Sequence, residues 1–155
     1  MRALFPLLAL VAAPSFAQSV GECGDWSLAR NLPEPWEENS ATYANGQVRL
    51  ALLDTLEPAA TAMHLMILSP PLDELGDRQC KTVSLAAAPD QGGWPAGFMA
   101  IDFAARQADY DPQNGLQITL PVRVFNPDLP QGDRGALDIT INQQTGQIGA
   151  VMVAE

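Results

Sequence analysis

The chain has 155 residues, with 18 acidic and 8 basic side chains, one histidine, two cysteines and a formal charge of -10. That balance excludes a nucleic-acid binder, whose phosphate-neutralising face needs Lys and Arg in excess, and electrostatic docking on an anionic membrane. One histidine and two cysteines exclude most zinc frameworks, and 47% hydrophobic with 17% charged residues is the composition of one ordinary globular domain.

Met1-Arg2 is a positive start, Ala3 to Ala13 an apolar run, and Pro14 a break before Ser15-Phe16-Ala17, with small residues three and one places before a cut. This is the three-part pattern of a secretory signal peptide over residues 1–17. The run is too short to span a bilayer, which takes about 20 residues, and no second run of spanning length follows, so stable membrane insertion after cleavage is not expected. The rest, 18–155, is read as a single β-rich domain with an irregular N-terminal segment over 18–43. Export puts Cys23 and Cys80 in an oxidising compartment, where only one intrachain disulfide can form.

Within 18–43, Pro33 and Pro35 oppose regular structure, although Pro35 to Asn39 suits one helical turn, with Glu37-Glu38 at its positive end. Beyond it a period of two dominates. Asn45-Gly46 signals a turn, followed by a strand with Val48, Leu50 and Leu52 on one face. Met63 to Leu68 reads as a central strand stopped by Ser69-Pro70-Pro71. Leu72 to Arg78 is a turn, Cys80 to Leu85 a strand, and Pro89 to Gly97 a loop carrying Trp94. Phe98 to Phe103 resumes the strand pattern, and Ala104 to Ala108 fits a helical turn and a strand equally. Asp111 to Gly115 is the strongest turn. Leu116 to Phe125 is the clearest strand, with Pro121 arguing for an edge or a bulge. Asn126 to Gly135 reads as a loop, and Leu137 to Val153 as a hairpin turning at Gln143 to Gly146. The fold class predicted is all-β, or mainly β with one or two short helical turns: an antiparallel sandwich or open barrel of about seven strands.

Candidates for chemistry are few. His64 as a general base needs a nucleophile and an orienting carboxylate, and no G-x-S-x-G elbow is present. His64 and Met66 point to one side of a strand and offer a soft pair for Cu(I). Met63-His64-Leu65-Met66 resembles the His-x-Met element of exported copper chaperones with a cupredoxin-like sandwich. The resemblance covers four residues, and the upstream methionine of those proteins has no counterpart between Met1 and Met63. Asp73-Glu74 with Asp77, and Asp109 with Asp111, are acidic clusters without the calcium-loop pattern. Trp26, Trp36 and Trp94 are expected to cap the ends of the core.

The stretch Pro33 to Ser40, the run Asn45 to Asp54, and Ser69-Pro70-Pro71 with Asp73-Glu74-Leu75-Gly76 resemble a group of small, uncharacterised exported bacterial proteins. The resemblance implies export and a single domain, and no activity. The expectation is an exported, periplasmic, non-enzymatic interaction or accessory protein of the cell envelope. It would have no cofactor, and its partner would be an envelope protein or a small ligand. The alternatives are a copper- or calcium-binding β-domain and a small hydrolase.

Overall fold

Alternation along the strands sets the layers of this computed structural model, which describes residues 16–89 and 93–154. Val48, Leu50 and Leu52 of one strand and Leu116, Ile118, Leu120 and Val122 of another are all buried in one hydrophobic cluster. They belong to the inner faces of two antiparallel sheets packed face to face, an open sandwich and not a closed barrel.

The strands in chain order are β1 (Phe16–Ala17), β2 (Ser19–Glu22), β3 (Ser40–Tyr43), β4 (Val48–Asp54), β5 (Met63–Leu72) and β6 (Arg78–Ser84). They continue with β7 (Ala100–Ile101), β8 (Gln107–Asp111), β9 (Gly115–Asn126), β10 (Leu129–Ile141) and β11 (Ile148–Ala154). One sheet runs β2-β6-β5-β4-β3; the other runs β1-β11-β10-β9, with β7 and β8 both on the far side of β9. The helical content of the described residues is two 3-10 turns, Ala29–Asn31 and Ala59–Thr61.

Several boundaries differ from the alternation-based expectation. The count exceeds seven because short edge strands are too brief to show a period; β2 and β3 both fall in the stretch read as irregular. Over Pro35 to Asn39 the expected helical turn is two consecutive turn bonds, Glu38 N–H to Pro35 O and Asn39 N–H to Trp36 O. β5 passes through Ser69-Pro70-Pro71 to Leu72 by a register shift between Ser69 and Leu72, so the prolines bend the strand and do not end it. Asn126 to Gly135 is hairpin and strand, with Leu129 opposite Asn126 and a bulge before Asp133.

Pro121 lies in an interior strand. Its carbonyl accepts from Asp102 N–H, so its ring nitrogen faces that same side. There β7 has paired with Val122 and Arg123, and β8 begins only at Thr119. The missing donor falls in the gap between two short neighbours.

The outer face of the smaller sheet is covered as well. Cys23 and Cys80 form the expected disulfide, with Cα atoms 5.5 Å apart. It ties the segment after β2 to β6, and Trp26 of that segment is buried against His64 on β5. Of the expected leader, residues 1–15 lie outside the described residues; Phe16 and Ala17 pair with Met152 and Val151 of β11. Among the described residues no helix is long and apolar enough to cross a membrane.

Candidate functional site

His64 is where the sequence points first. Its side chain is on the outer face of β5, yet it is only 1% exposed. Nδ1 lies 2.8 Å from Ser84 Oγ, across the β5–β6 pair. The ring lies against Trp26, centroids 4.6 Å apart. A Cβ on Gly97 would stand 2.8 Å from Nε2 and still closer to the carbonyl oxygens of Thr61 and Met63, so only glycine lets that backbone pass. Burial pushes the imidazole down to about 4, with the charge of Asp54 pulling less strongly the other way.

A serine within hydrogen-bond reach of a histidine is the first half of a nucleophilic pair. Here Ser84 is 2% exposed and Trp26 roofs the ring. No carboxylate bonds to the imidazole among the described residues. The pair is a buried hydrogen bond, both side chains almost wholly withdrawn from solvent.

The copper reading meets the same packing. Nδ1 is engaged and Nε2 faces backbone, while Met66 sits half-buried opposite Ala51 and Thr82. The acidic clusters serve their own turns: Asp73 Oδ1 accepts from Leu75 and Asp77 N–H, and Asp111 Oδ1 from Gln113 and Asn114 N–H. Among the described residues no three His, Cys, Asp or Glu side chains converge as metal ligands. None of the tryptophans caps an end of the core: Trp26 is buried on the outer face of the smaller sheet against His64, and Trp36 and Trp94 are exposed. Trp94 lines a cleft of about 380 Å³ with Pro58 and Pro95.

A further concavity lies between the sheets at one end of the sandwich. Tyr43 of β3 stands opposite Val48, and Tyr110 of β8 stands opposite Leu116. Directly opposed residues share a face, and both partners are core residues; the two tyrosines therefore occupy inward-facing positions on edge strands. With Asn45, Gln47 and Gln143 they line one cleft of about 410 Å³, within the range of small-ligand sites. Tyr110 is 58% exposed, an aromatic left uncovered at an inward-facing position.

The cleft is held in shape from behind. Arg106 donates from Nε to Tyr43 Oη at 3.1 Å and from Nη1 to Phe103 O at 2.7 Å, its guanidinium over the Phe103 ring. Arg78 donates to the carbonyls of Gln47 and Gly46, fixing the β3–β4 turn. That turn holds Ala44 at φ 51 and Asn45 at φ 54, left-handed conformations that cost an alanine about 1–2 kcal/mol. Gly115 (φ 94) passes so close to Ile141 O that a Cβ would collide with it. This contact locks the start of β9 to the end of β10, whose following turn carries Gln143.

Among the described residues no carboxylate, imidazole or thiol lines the cleft. It can hold a ligand by ring faces and amides but offers no general acid, base or nucleophile beyond the phenols. Sequence reasoning missed it because Tyr43 and Tyr110 sit on strands too short for their parity to be read. The one available signal was an aromatic shortly before each of the two strong turns, Asn45-Gly46 and Asp111 to Gly115.

No protein-family model, curated protein or solved structure matches the chain.

Proposed function

We propose that this protein is a non-enzymatic recognition domain, exported to the periplasm by its leader and acting as an accessory of the cell envelope. Its contact surface is the Tyr43–Tyr110 cleft, and its ligand an uncharged amphipathic group. The observation that carries this reading is two tyrosines at inward-facing positions of edge strands, in a cleft braced by arginines and lined, among the described residues, by amides without a carboxylate, imidazole or thiol. A preformed site loses little entropy on binding, and the strained Ala44–Asn45 turn at its lip is the kind of outlier that collects at ligand sites. Export is supported by the disulfide, which persists in oxidising compartments.

The test is backbone NMR with small amphipathic probes: phenol, dioxane and isopropanol. Concentration-dependent shifts should gather on the amides of Ala44, Asn45, Tyr110 and Gln143. Shifts gathered instead around Trp36 or Trp94, with the cleft silent, would overturn the assignment. Turnover of ester, glycan or peptide substrates by the purified protein, abolished by a single polar substitution, would overturn the non-enzymatic part.

A further inference from the structure

Resting on the cleft as the recognition surface, we infer that its ligand is a neutral saccharide. Three residues with primary amides, Asn45, Gln47 and Gln143, line the cleft. Each presents donors and an acceptor, and a sugar hydroxyl, itself donor and acceptor, matches them in either sense. Tyr43 Oη accepts from Arg106, which leaves its own proton free to donate. The two phenol rings supply flat, electron-rich faces that suit the C–H face of a pyranose and need no charge on it.

The charges nearby are turned away or occupied. Asp109 and Asp111 flank Tyr110 on β8 and alternate with it, so they project to the other face of the sheet, and their carboxylates accept backbone N–H groups. Arg106 and Arg78 direct donors to Tyr43, Phe103, Gly46 and Gln47. Both guanidiniums lie behind the lining, with donors engaged by a phenol and carbonyls. An ammonium ligand would meet no carboxylate in the lining, and a carboxylate ligand would make no direct ion pair there, so burial of either charge is poorly offset. A hydroxyl-rich neutral ligand carries no such penalty. A volume of about 410 Å³ is that of a small-ligand site and accommodates about one or two sugar rings.

The experiment uses the exported, disulfide-bonded protein. It is labelled and applied to an array of neutral and acidic glycans, and the best neutral ligand is then titrated into the isotope-labelled protein beside trialanine and glucuronate. Saturable shifts are expected at Ala44, Asn45, Tyr110 and Gln143. Affinity should fall about tenfold or more in Tyr110→Ala, fall less in Gln143→Ala, and hold in Arg134→Thr, on the outer face of the β9–β10 pair. Tyr110 is exposed, so its loss should not disturb folding, which circular dichroism checks. Binding of acidic glycans or trialanine in the cleft, with neutral glycans silent, overturns the saccharide class. So does silence from every glycan while phenol and dioxane still find the cleft; the recognition reading then stands. If those probes miss the cleft too, both readings fall.

Discussion

At residue scale, His64 ties the fold to pH. Its folded pKa of about 4 lies below the ordinary 6.5, so the unfolded chain takes up a proton first as pH falls. Stability from the neutral, buried ring is therefore complete above about pH 6.5 and is lost as pH drops towards 4, by about 3 kcal/mol in all. Carboxylates titrate in the same window, so the comparison needs a variant. His64→Leu with Ser84→Ala removes both partners and leaves no orphaned hydroxyl. Urea unfolding at pH 7 and pH 4 should show a loss for the wild type larger than for the double variant by about 3 kcal/mol. Equal losses would mean that the ring is not held neutral. Ser84→Ala alone should cost about 1 kcal/mol at neutral pH, without the effect on any hydrolysis that a nucleophile would have.

At the scale of elements, β9 and β10 bring two arginines directly opposite each other, Arg123 and Arg134. With Asp102 they edge a recess of about 230 Å³ on the outer face. Arg123 donates to Gln131 O; among the described residues neither guanidinium forms an ion pair with a carboxylate. Like charges directly opposite destabilise a strand pair. Arg134→Thr should raise the unfolding free energy by about 0.5 kcal/mol at low salt, and the gain should shrink in high salt as screening removes the repulsion from the wild type. A loss would mean that Arg134 has an acceptor that outweighs the repulsion. The same elements mark how far the sequence could be read. β4, β9 and the β10–β11 hairpin were legible because sustained apolar alternation, or a tight turn between two strands, leaves one register. The four residues of β3 and the five of β8 carry no such pattern; their place is set by hydrogen bonds to β4 and β9. Pro121 illustrates the limit. Its missing donor correctly signalled an unpaired backbone position, but whether that meant a sheet edge or a gap between two partners depends on β7 and β8, well upstream in the chain. The cleft, built from short strands, was invisible for the same reason.

At the scale of the whole molecule, the sandwich has one full core and a thinner outer layer. The inner faces bury Leu65 and Ile67 of β5 against Ile118, Leu120, Leu137 and Ile139 of β9 and β10. The outer layer is Trp26 laid on His64, with Leu53 directly opposite that histidine on β4. What anchors the layer is the Cys23–Cys80 bond, which joins residues 57 positions apart. In the chain-entropy account such a loop limits the unfolded ensemble by about 4 kcal/mol, a large share of the roughly 5–15 kcal/mol typical of a domain. The inner core does not use the bond, so Cys23→Ala with Cys80→Ala should still fold, its unfolding free energy in urea lowered by an amount near that figure. Because the lost anchor is local, amide exchange should rise first in 23–39 and around His64, while β9 and β10 keep their protection. The Tyr43–Tyr110 cleft lies at strand ends held by Arg78, Arg106 and Gly115, through contacts that do not involve the disulfide, so the binding proposed for it should survive its removal. Uniform loss of protection across both sheets would show that the covering layer and the core unfold as one unit, and that the bond holds the whole sandwich.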